Sequence, residues 1–366
     1  MHSRQKSNSM KQKLIFTNLV GEAVDSLVSD LGNPAVVVVV DTNTAQFVLP
    51  VVQKVSKTLA GAPVITVKAG DTNKNLDELV SLWTQLSRLE ATRETVVVNL
   101  GGGVVSDMAG FAAATYKRGM RCINIPTTVL AAVDAAVGGK TGINFNGFKN
   151  QIGSFYEPDA AIISTIFFNT LTEQQVLSGY AEMLKHGLLE NTETLGKLLN
   201  YSPVYPSFDS AALLPLLQDS VLVKQRIVDQ DLTESGLRKA LNLGHTVGHA
   251  FEAFSFRHQS PVPHGYAVAW GLVVELVLSN MLYEFPSATL HQFADYVKTN
   301  YGAFPVTCND YPELISIMRQ DKKNATPDAI NFTLLKDVGM PEINCVARPE
   351  QITAALDIYR DLMSLA

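Results

Sequence analysis

The sequence predicts an α/β domain followed by a mostly α-helical one. Three observations predict this. The first half alternates β-branched runs with helix-length segments, the pattern of a parallel sheet with helical crossovers. After residue 165, segments with apolar residues four apart take over. The length, 366 residues, suits two domains at about 100–200 residues each. We expect a flexible extension over residues 1–12, an α/β domain over 13–168 and a helical domain over 169–366.

Taken in order, Met1–Met10 is polar and basic with no apolar run behind it, so no secretory signal is read. Ala35–Val40, Pro63–Lys68 and Thr95–Leu100 read as buried parallel strands, with a helix over Leu76–Leu89 between the last two. Arg121–Ile125 reads as another strand, closed by Pro126. Long helices are expected over Glu173–Glu190, Ala211–Val228, Gly236–Phe254 and Tyr266–Tyr283. In the first of these, Val176, Tyr180, Leu184 and Leu188 form one apolar stripe. Asn200–Asp209 reads as a connection, and weak strand text returns at Ile330–Leu335.

Composition excludes several classes. Hydrophobic residues make up 46% and charged residues 17%, so a core can form and global disorder is excluded. A net charge of -6 disfavours nonspecific nucleic-acid binding. No run is read as reaching the roughly 18 apolar residues of a membrane span. Cys122, Cys308 and Cys345 are too dispersed for a disulfide framework. They read as buried free thiols in a reducing compartment, so a cytoplasmic location is expected.

Three segments carry chemistry. Gly101-Gly102-Gly103 follows a strand, where glycines let a backbone approach a pyrophosphate at a helix start. The stricter GxGxxG pattern fails at Ser106, and Asp41 closes an earlier strand. A structural turn with Asp41 as a helix cap is the other reading. His245 and His249 lie one helical turn apart, with Asn242 and Arg238 continuing the stripe backwards. Gly244 and Gly248 beside them cost about 1 kcal/mol each in a helix, so something must come close to that face. With His264 and a carboxylate from Glu182, these histidines suit a divalent metal. His186 is a rival ligand, and solvated or hydrogen-bonded histidines are the alternative. Lys140 in Gly138-Gly139-Lys140-Thr141 and Lys149 beside Asn150 offer point charges for an anion, or are surface lysines in loops.

Together these segments resemble the 3-dehydroquinate synthase family of sugar phosphate cyclases. The resemblance rests on Gly101–Gly110, Tyr116–Gly119, Pro126–Thr128, Val133–Thr141, Lys149-Asn150, Ala181–Lys185, Leu237-Arg238, Asn242–His249, His264-Gly265 and Asp321–Lys323, in order. It implies a Rossmann-like α/β domain with a helical partner. Glu182, His245 and His264 would hold one divalent metal, Zn2+ or possibly Co2+. Asp41, Asn43, Asp71, Lys74, Gly102, Gly103, Val104, Asp107, Thr127, Thr128, Lys140, Lys149, Thr170, Leu171 and Gln174 would contact NAD. The implied catalytic set is Asp134, Lys140, Lys185, Lys224, Glu234, Arg238, Asn242 and His249. Lys149, Asn150 and Lys322 or Lys323 would bind substrate, and Arg118 would reach the neighbouring subunit of a homodimer.

The implied reaction closes a phosphorylated seven-carbon sugar acid into a carbocycle. It proceeds by transient oxidation with NAD, phosphate elimination, reduction and intramolecular aldol closure. Ser106 and Phe148 replace glycines common in the family, and Asp71 stands where glutamate is usual. Other readings are a sister cyclase, a metal-dependent polyol dehydrogenase and a nucleotide-sensing binding protein. The lysines argue against the dehydrogenase, because an uncharged polyol needs no anion cradle.

Overall fold

The structure is a computed structural model and describes residues 12–146, 148–320 and 330–365. The chain divides into two compact units between Thr170 and Leu171.

The first unit contains β1 (Lys13–Phe16), α1 (Val20–Asp30), β2 (Val36–Asp41), α2 (Thr42–Phe47), α3 (Leu49–Val55), α4 (Lys57–Ala60) and β3 (Val64–Val67). It continues with α5 (Leu76–Arg88), β4 (Val96–Gly101), α6 (Gly103–Thr115), β5 (Arg121–Pro126), β6 (Lys140–Phe145), β7 (Phe148–Phe155) and β8 (Ala160–Ile163). Six strands form a parallel sheet in the order β1-β8-β5-β4-β2-β3. Its central strands are buried on both faces, which is why β2 and β4 read as continuous valine runs rather than alternating ones. Leu79, Leu82 and Leu86 of α5, at helical spacing, pack with Val37, Val39, Val97 and Met108 in one core. From β2 the chain moves to the β3 edge, then returns to β4 and proceeds the other way. The strand order therefore switches between β2 and β4, and ligands of open α/β sheets bind outside the carboxyl ends of such strands.

Three features differ from the sequence reading. The segment read as glycine turns around the lysines is largely an antiparallel hairpin, β6–β7, with Lys140 opening β6 and Lys149 and Asn150 in β7. Gly142 and Gly153 face each other there, and a Cβ on Gly153 would stand 2.0 Å from the Thr141 carbonyl oxygen. The four-residue strands β1 and β8 are too short to show a pattern. Gln12 is buried, and its Nε2 donates to the Ala136 carbonyl at 2.9 Å, so the flexible extension expected over residues 1–12 does not include it. Residues 1–11 lie outside the described residues.

The second unit is built from α7 (Glu173–Glu190), α8 (Thr192–Leu199), α9 (Ser210–Gln230), α10 (His245–Arg257), α11 (His264–Tyr283), α12 (Ser287–Tyr301) and α13 (Tyr311–Arg319). The antiparallel hairpin β9 (Ile330–Asp337) and β10 (Met340–Ala347) follows, then α14 (Pro349–Leu362). Thr172 and Gln175 close a capping box at the start of α7. The expected helix Gly236–Phe254 is two elements. A short 3₁₀ helix over Leu237–Asn242 ends at Leu243, Gly244 turns left-handed at φ 78°, and α10 starts afresh at His245. Arg238 and Asn242 therefore do not extend the histidine stripe on one helix. Helix α11 is long and apolar enough to span a membrane, with mean hydropathy 1.5, contrary to the sequence reading. Its apolar stretch is 78% buried inside the protein, which marks a core helix. Cys122 and Cys345 are buried as expected, but Cys308 is exposed.

Candidate active site

In the first unit, the residues expected at NAD gather at the switch point and beside it. Val39 of β2 lies opposite Asn99 of β4, and continuing that register puts Asp41 beside Gly101. Gly101 pairs with Pro126 of β5, and Thr127 N donates to the Gly101 carbonyl at 3.0 Å. Asp41, Asn43, Gly102, Gly103, Val104, Thr127 and Thr128 thus share the carboxyl edge of three adjacent strands. The Asp41 carboxylate accepts from Asn43 N and Thr44 N at 2.8 Å each, so the capping reading of Asp41 is realised in the structure.

The three glycines differ. A Cβ on Gly101 would stand 2.5 Å from the Val105 side chain, so packing excludes it. A Cβ on Gly102 or Gly103 would meet Thr128 at 3.4 Å or Ala135 at 3.6 Å, ordinary contacts. Gly102 has φ -76°, open to any residue, and offers no side chain to cap α6. Packing does not demand glycine at these two positions. An anionic group approaching the bare helix start would, so the residues fit a dinucleotide phosphate.

A second network joins Asp71, Lys74, Asp107, Lys149 and Asn150. Buried Lys74 donates to Asp107 and to Asn150 Oδ1. Asn144 ties the group together, donating to the Asp71 carbonyl at 2.9 Å and accepting from Asn150 N at 2.9 Å. Lys149 stands 3.7 Å from Asp71, both exposed. Asp134 sits half-buried in a single π-helical turn, Ala131–Ala135, and Lys140 is exposed. Arg118 is exposed on the turn after α6 with φ 66°. Thr170 Oγ1 donates to the Phe167 carbonyl, ending the unit.

In the second unit, α7 supplies Glu182, α10 His245 and α11 His264, whose ligand atoms all lie within 4.8 Å of one another. His245 Nε2 is 3.4 Å and His264 Nε2 3.7 Å from Glu182 Oε1. His245 Nδ1 is 3.0 Å from the Leu243 carbonyl, and His264 Nδ1 3.1 Å from Glu252 Oε2. Both partners only accept, so each Nδ1 carries the proton. Each ring can then turn its Nε2 to a cation beside Glu182 that displaces any proton shared with that carboxylate, the usual arrangement of metal-binding histidines. Glycines bring the helices close enough. A Cβ on Gly265 would stand 1.9 Å from the Ser178 carbonyl oxygen of α7, and one on Gly271 2.2 Å from the Gly244 carbonyl oxygen. Gly248 meets the Ala267 backbone at 3.0 Å. The close approach inferred from Gly244 and Gly248 is therefore that of α11 and its Leu272 side chain, not of a ligand.

Charge in this cluster is set by neighbours. Burial alone would raise the Glu182 carboxyl, but the Lys185 ammonium and the His245 ring against it hold it well below the usual range. Burial and the Lys185 cation push His245 down to about 4. Burial also disfavours charge on His264, but hydrogen bonds to Glu182 and Glu252 carry it up to about 10. His249 is exposed beside the cluster, its ring 5.3 Å from that of His245 and 6.0 Å from that of His264. His186, the rival ligand, instead sits with Nδ1 2.8 Å from Ser220 Oγ of α9.

The Leu237–Asn242 turn packs against α7 and α9, and α9 brings Lys224. Lys185, Lys224 and Arg238 are all buried. Arg238 donates to the Leu232 carbonyl at 2.7 Å, and Asn242 donates to Glu234 Oε1 at 2.8 Å. Leu171 and Gln174 precede and open α7, partly or fully exposed. Lys322 and Lys323 lie outside the described residues. The sequence reading missed Glu252 and Glu275. Glu252 follows His245 by seven residues on the same helix face, and Glu275 is a lone carboxylate in the apolar α11, so both left a signal.

The 3-dehydroquinate synthase N-terminal family matches residues 64–178, and the C-terminal family matches 179–324. The 3-dehydroquinate synthase of Parabacteroides distasonis is 46% identical over 351 residues, 96% of this chain and 98% of that protein. Among solved structures, 2-epi-5-epi-valiolone synthase from Streptomyces hygroscopicus with NAD+ and Zn2+ bound superposes with TM-score 0.82 at 21% identity, covering 99% of each chain. 2-Deoxy-scyllo-inosose synthase complexed with carbaglucose-6-phosphate, NAD+ and Co2+ gives TM-score 0.81 at 24% identity, covering 94% of this chain and 95% of that one. At that identity the two structures show a common fold, and the sequence matches over nearly the whole length show more: the chain belongs to the 3-dehydroquinate synthase family.

Proposed function

We propose that the protein converts 3-deoxy-D-arabino-heptulosonate 7-phosphate to 3-dehydroquinate and inorganic phosphate, a carbon–oxygen lyase reaction of the shikimate pathway. The observation that supports it most is the Glu182, His245 and His264 cluster, with both imidazole Nδ1 atoms already occupied and both Nε2 atoms converging on one carboxylate. In this reading those residues hold one divalent metal, Zn2+ or Co2+. When bound, the metal polarises a substrate hydroxyl and lowers its pKa, and NAD supplies reversible hydride transfer. Asp41, Asn43, Asp71, Lys74, the Gly102–Val104 turn, Asp107, Thr127, Thr128, Thr170, Leu171 and Gln174 receive the NAD.

The chain's own groups do the rest. Lys224, Arg238 and Asn242 bind the anionic ends of the substrate, with Glu234 orienting the Asn242 amide. Lys140, Lys149, Asn150 and one of Lys322 and Lys323 add charge for the phosphate, and Asp134 orients the substrate. Lys185 neutralises Glu182 and presents a proton beside it. His249, exposed next to two ligand rings, moves a proton to or from the substrate oxygen. Holding the chain in a ring-forming geometry supplies much of the rate, since effective molarities reach about 10⁵ M or more. Arg118 completes the site of a second copy in a homodimer, and the three free thiols favour a cytoplasmic setting.

The test is phosphate release and 3-dehydroquinate formation with NAD far below the substrate concentration. Many turnovers per NAD, abolished by a chelator and restored by metal, support the proposal. Steady NADH accumulation with simple polyols and no phosphate release would overturn it.

A further inference from the structure

Two carboxylates outside the proposed ligand set face the ligand helices in a reciprocal arrangement. Glu252 lies on α10, the helix of His245, and its Oε2 accepts the Nδ1 proton of His264 at the start of α11. Glu275 lies on α11, the helix of His264, and grips the first turn of α10. Its Oε2 accepts from Gly244 N at 2.6 Å, and its Oε1 from Thr246 N at 2.9 Å and Val247 N at 3.1 Å. These amides flank His245. They need an outside acceptor because the capping position is Gly244, which has no side chain and no room for one against Leu272.

Resting on the reading of Glu182, His245 and His264 as metal ligands, we propose that Glu252 and Glu275 are positioning residues forming a reciprocal brace. Each ligand helix supplies a carboxylate that holds the ligand end of the other. Glu275 acts on the backbone at His245, and Glu252 acts on the ring of His264. The brace works across the α10–α11 contact that Gly244, Gly248 and Gly271 make tight. Glu275 is fully buried, and the amide dipoles it accepts from suit a carboxylate at that position. A metal site tolerates displacements of only about 0.5 Å, which is the precision such a brace supplies.

The test compares wild type, Glu252→Gln and Glu275→Gln, each loaded with Co2+. Visible absorption of the bound Co2+, its release rate to a chelator, and thermal unfolding of the metal-free proteins are measured. We expect release about 10–100-fold faster in each variant, with an altered Co2+ spectrum, and a metal-free Glu252→Gln protein that unfolds at the wild-type temperature. A purely structural role would lower the metal-free unfolding temperature and leave spectrum and release unchanged. Should Glu275→Gln not fold, Glu252→Gln decides alone. Wild type that binds Co2+ while Glu252→Gln matches it in spectrum and release overturns the brace only. Wild type that binds no Co2+ overturns the ligand assignment and the brace together.

Discussion

Two glycine-rich segments look alike in the sequence and do opposite things. In Gly101–Gly103, a Cβ on Gly102 would meet only Thr128 at ordinary contact distance, so packing leaves the helix start open to a ligand. In Gly244–Gly248, together with Gly271, the bare backbones are filled by the neighbouring helix, and the result is a fixed spacing of the helices that carry His245 and His264. A glycine signals close approach, but only its neighbours in space say whether a ligand or the protein itself approaches.

The comparison can be broken or sharpened in order of expected effect. Glu182→Gln removes the charge around which the second region is built and leaves Lys185 buried without its ion pair. Breaking a buried pair costs about 3–5 kcal/mol, so stability and metal retention should both fall, read by metal analysis and thermal unfolding. Unchanged metal content would defeat the ligand assignment. Gly271→Ala comes next. A helix interior gains about 1 kcal/mol from alanine, but a Cβ 2.2 Å from a backbone oxygen costs more than that, about 1–3 kcal/mol or above. Net destabilisation with weakened metal binding is expected.

Gly102→Ala probes the other region. Thermal unfolding should stay at the wild-type temperature while NAD affinity, measured by calorimetry, falls about tenfold, equivalent to about 1.4 kcal/mol. Unaltered NAD affinity would make Gly102 structural. Lys149→Ala loses an exposed pair with Asp71 worth about 0–1 kcal/mol, so stability should hold while KM for the phosphorylated substrate rises in a salt-sensitive way.

The smallest effect contrasts Glu275 with Asp25, which also caps a neighbouring helix. Asp25 accepts from Ser56 Oγ, Lys57 N and Thr58 N at the start of α4, but stays half-exposed. Burial, the largest single influence, raises its carboxyl, but these donors together outweigh it and bring it down to about 2. A lowered folded pKa stabilises the protein fully above the unfolded value of about 3.9 and is lost as pH falls through about 2. Asp25→Asn should therefore lower stability modestly at pH 7, where the contribution is fully present, and flatten the acid limb between those values.

Much was legible in the sequence. Burial on both faces made β2 and β4 visible as valine runs, and four-residue spacing showed α7 from Glu173 to Glu190. The hairpin β6–β7 was not legible, because its glycines and exposed faces erase alternation. The break at Leu243–Gly244 was hidden because Arg238, Asn242, His245 and His249 keep helical spacing across it.

By itself, then, the sequence determined the two-part architecture and the chemical types brought to the chemistry: carboxylate, imidazoles, lysines and a glycine turn. Those follow from local periodicity and from what each side chain can bind. Only the tertiary structure decided that α11 is a core helix, that His186 turns to Ser220, and that Glu252 and Glu275 each answer the opposite helix. Such outcomes depend on which groups distant in the chain meet in space, and hydrogen bonds and packing between them have no local period to read.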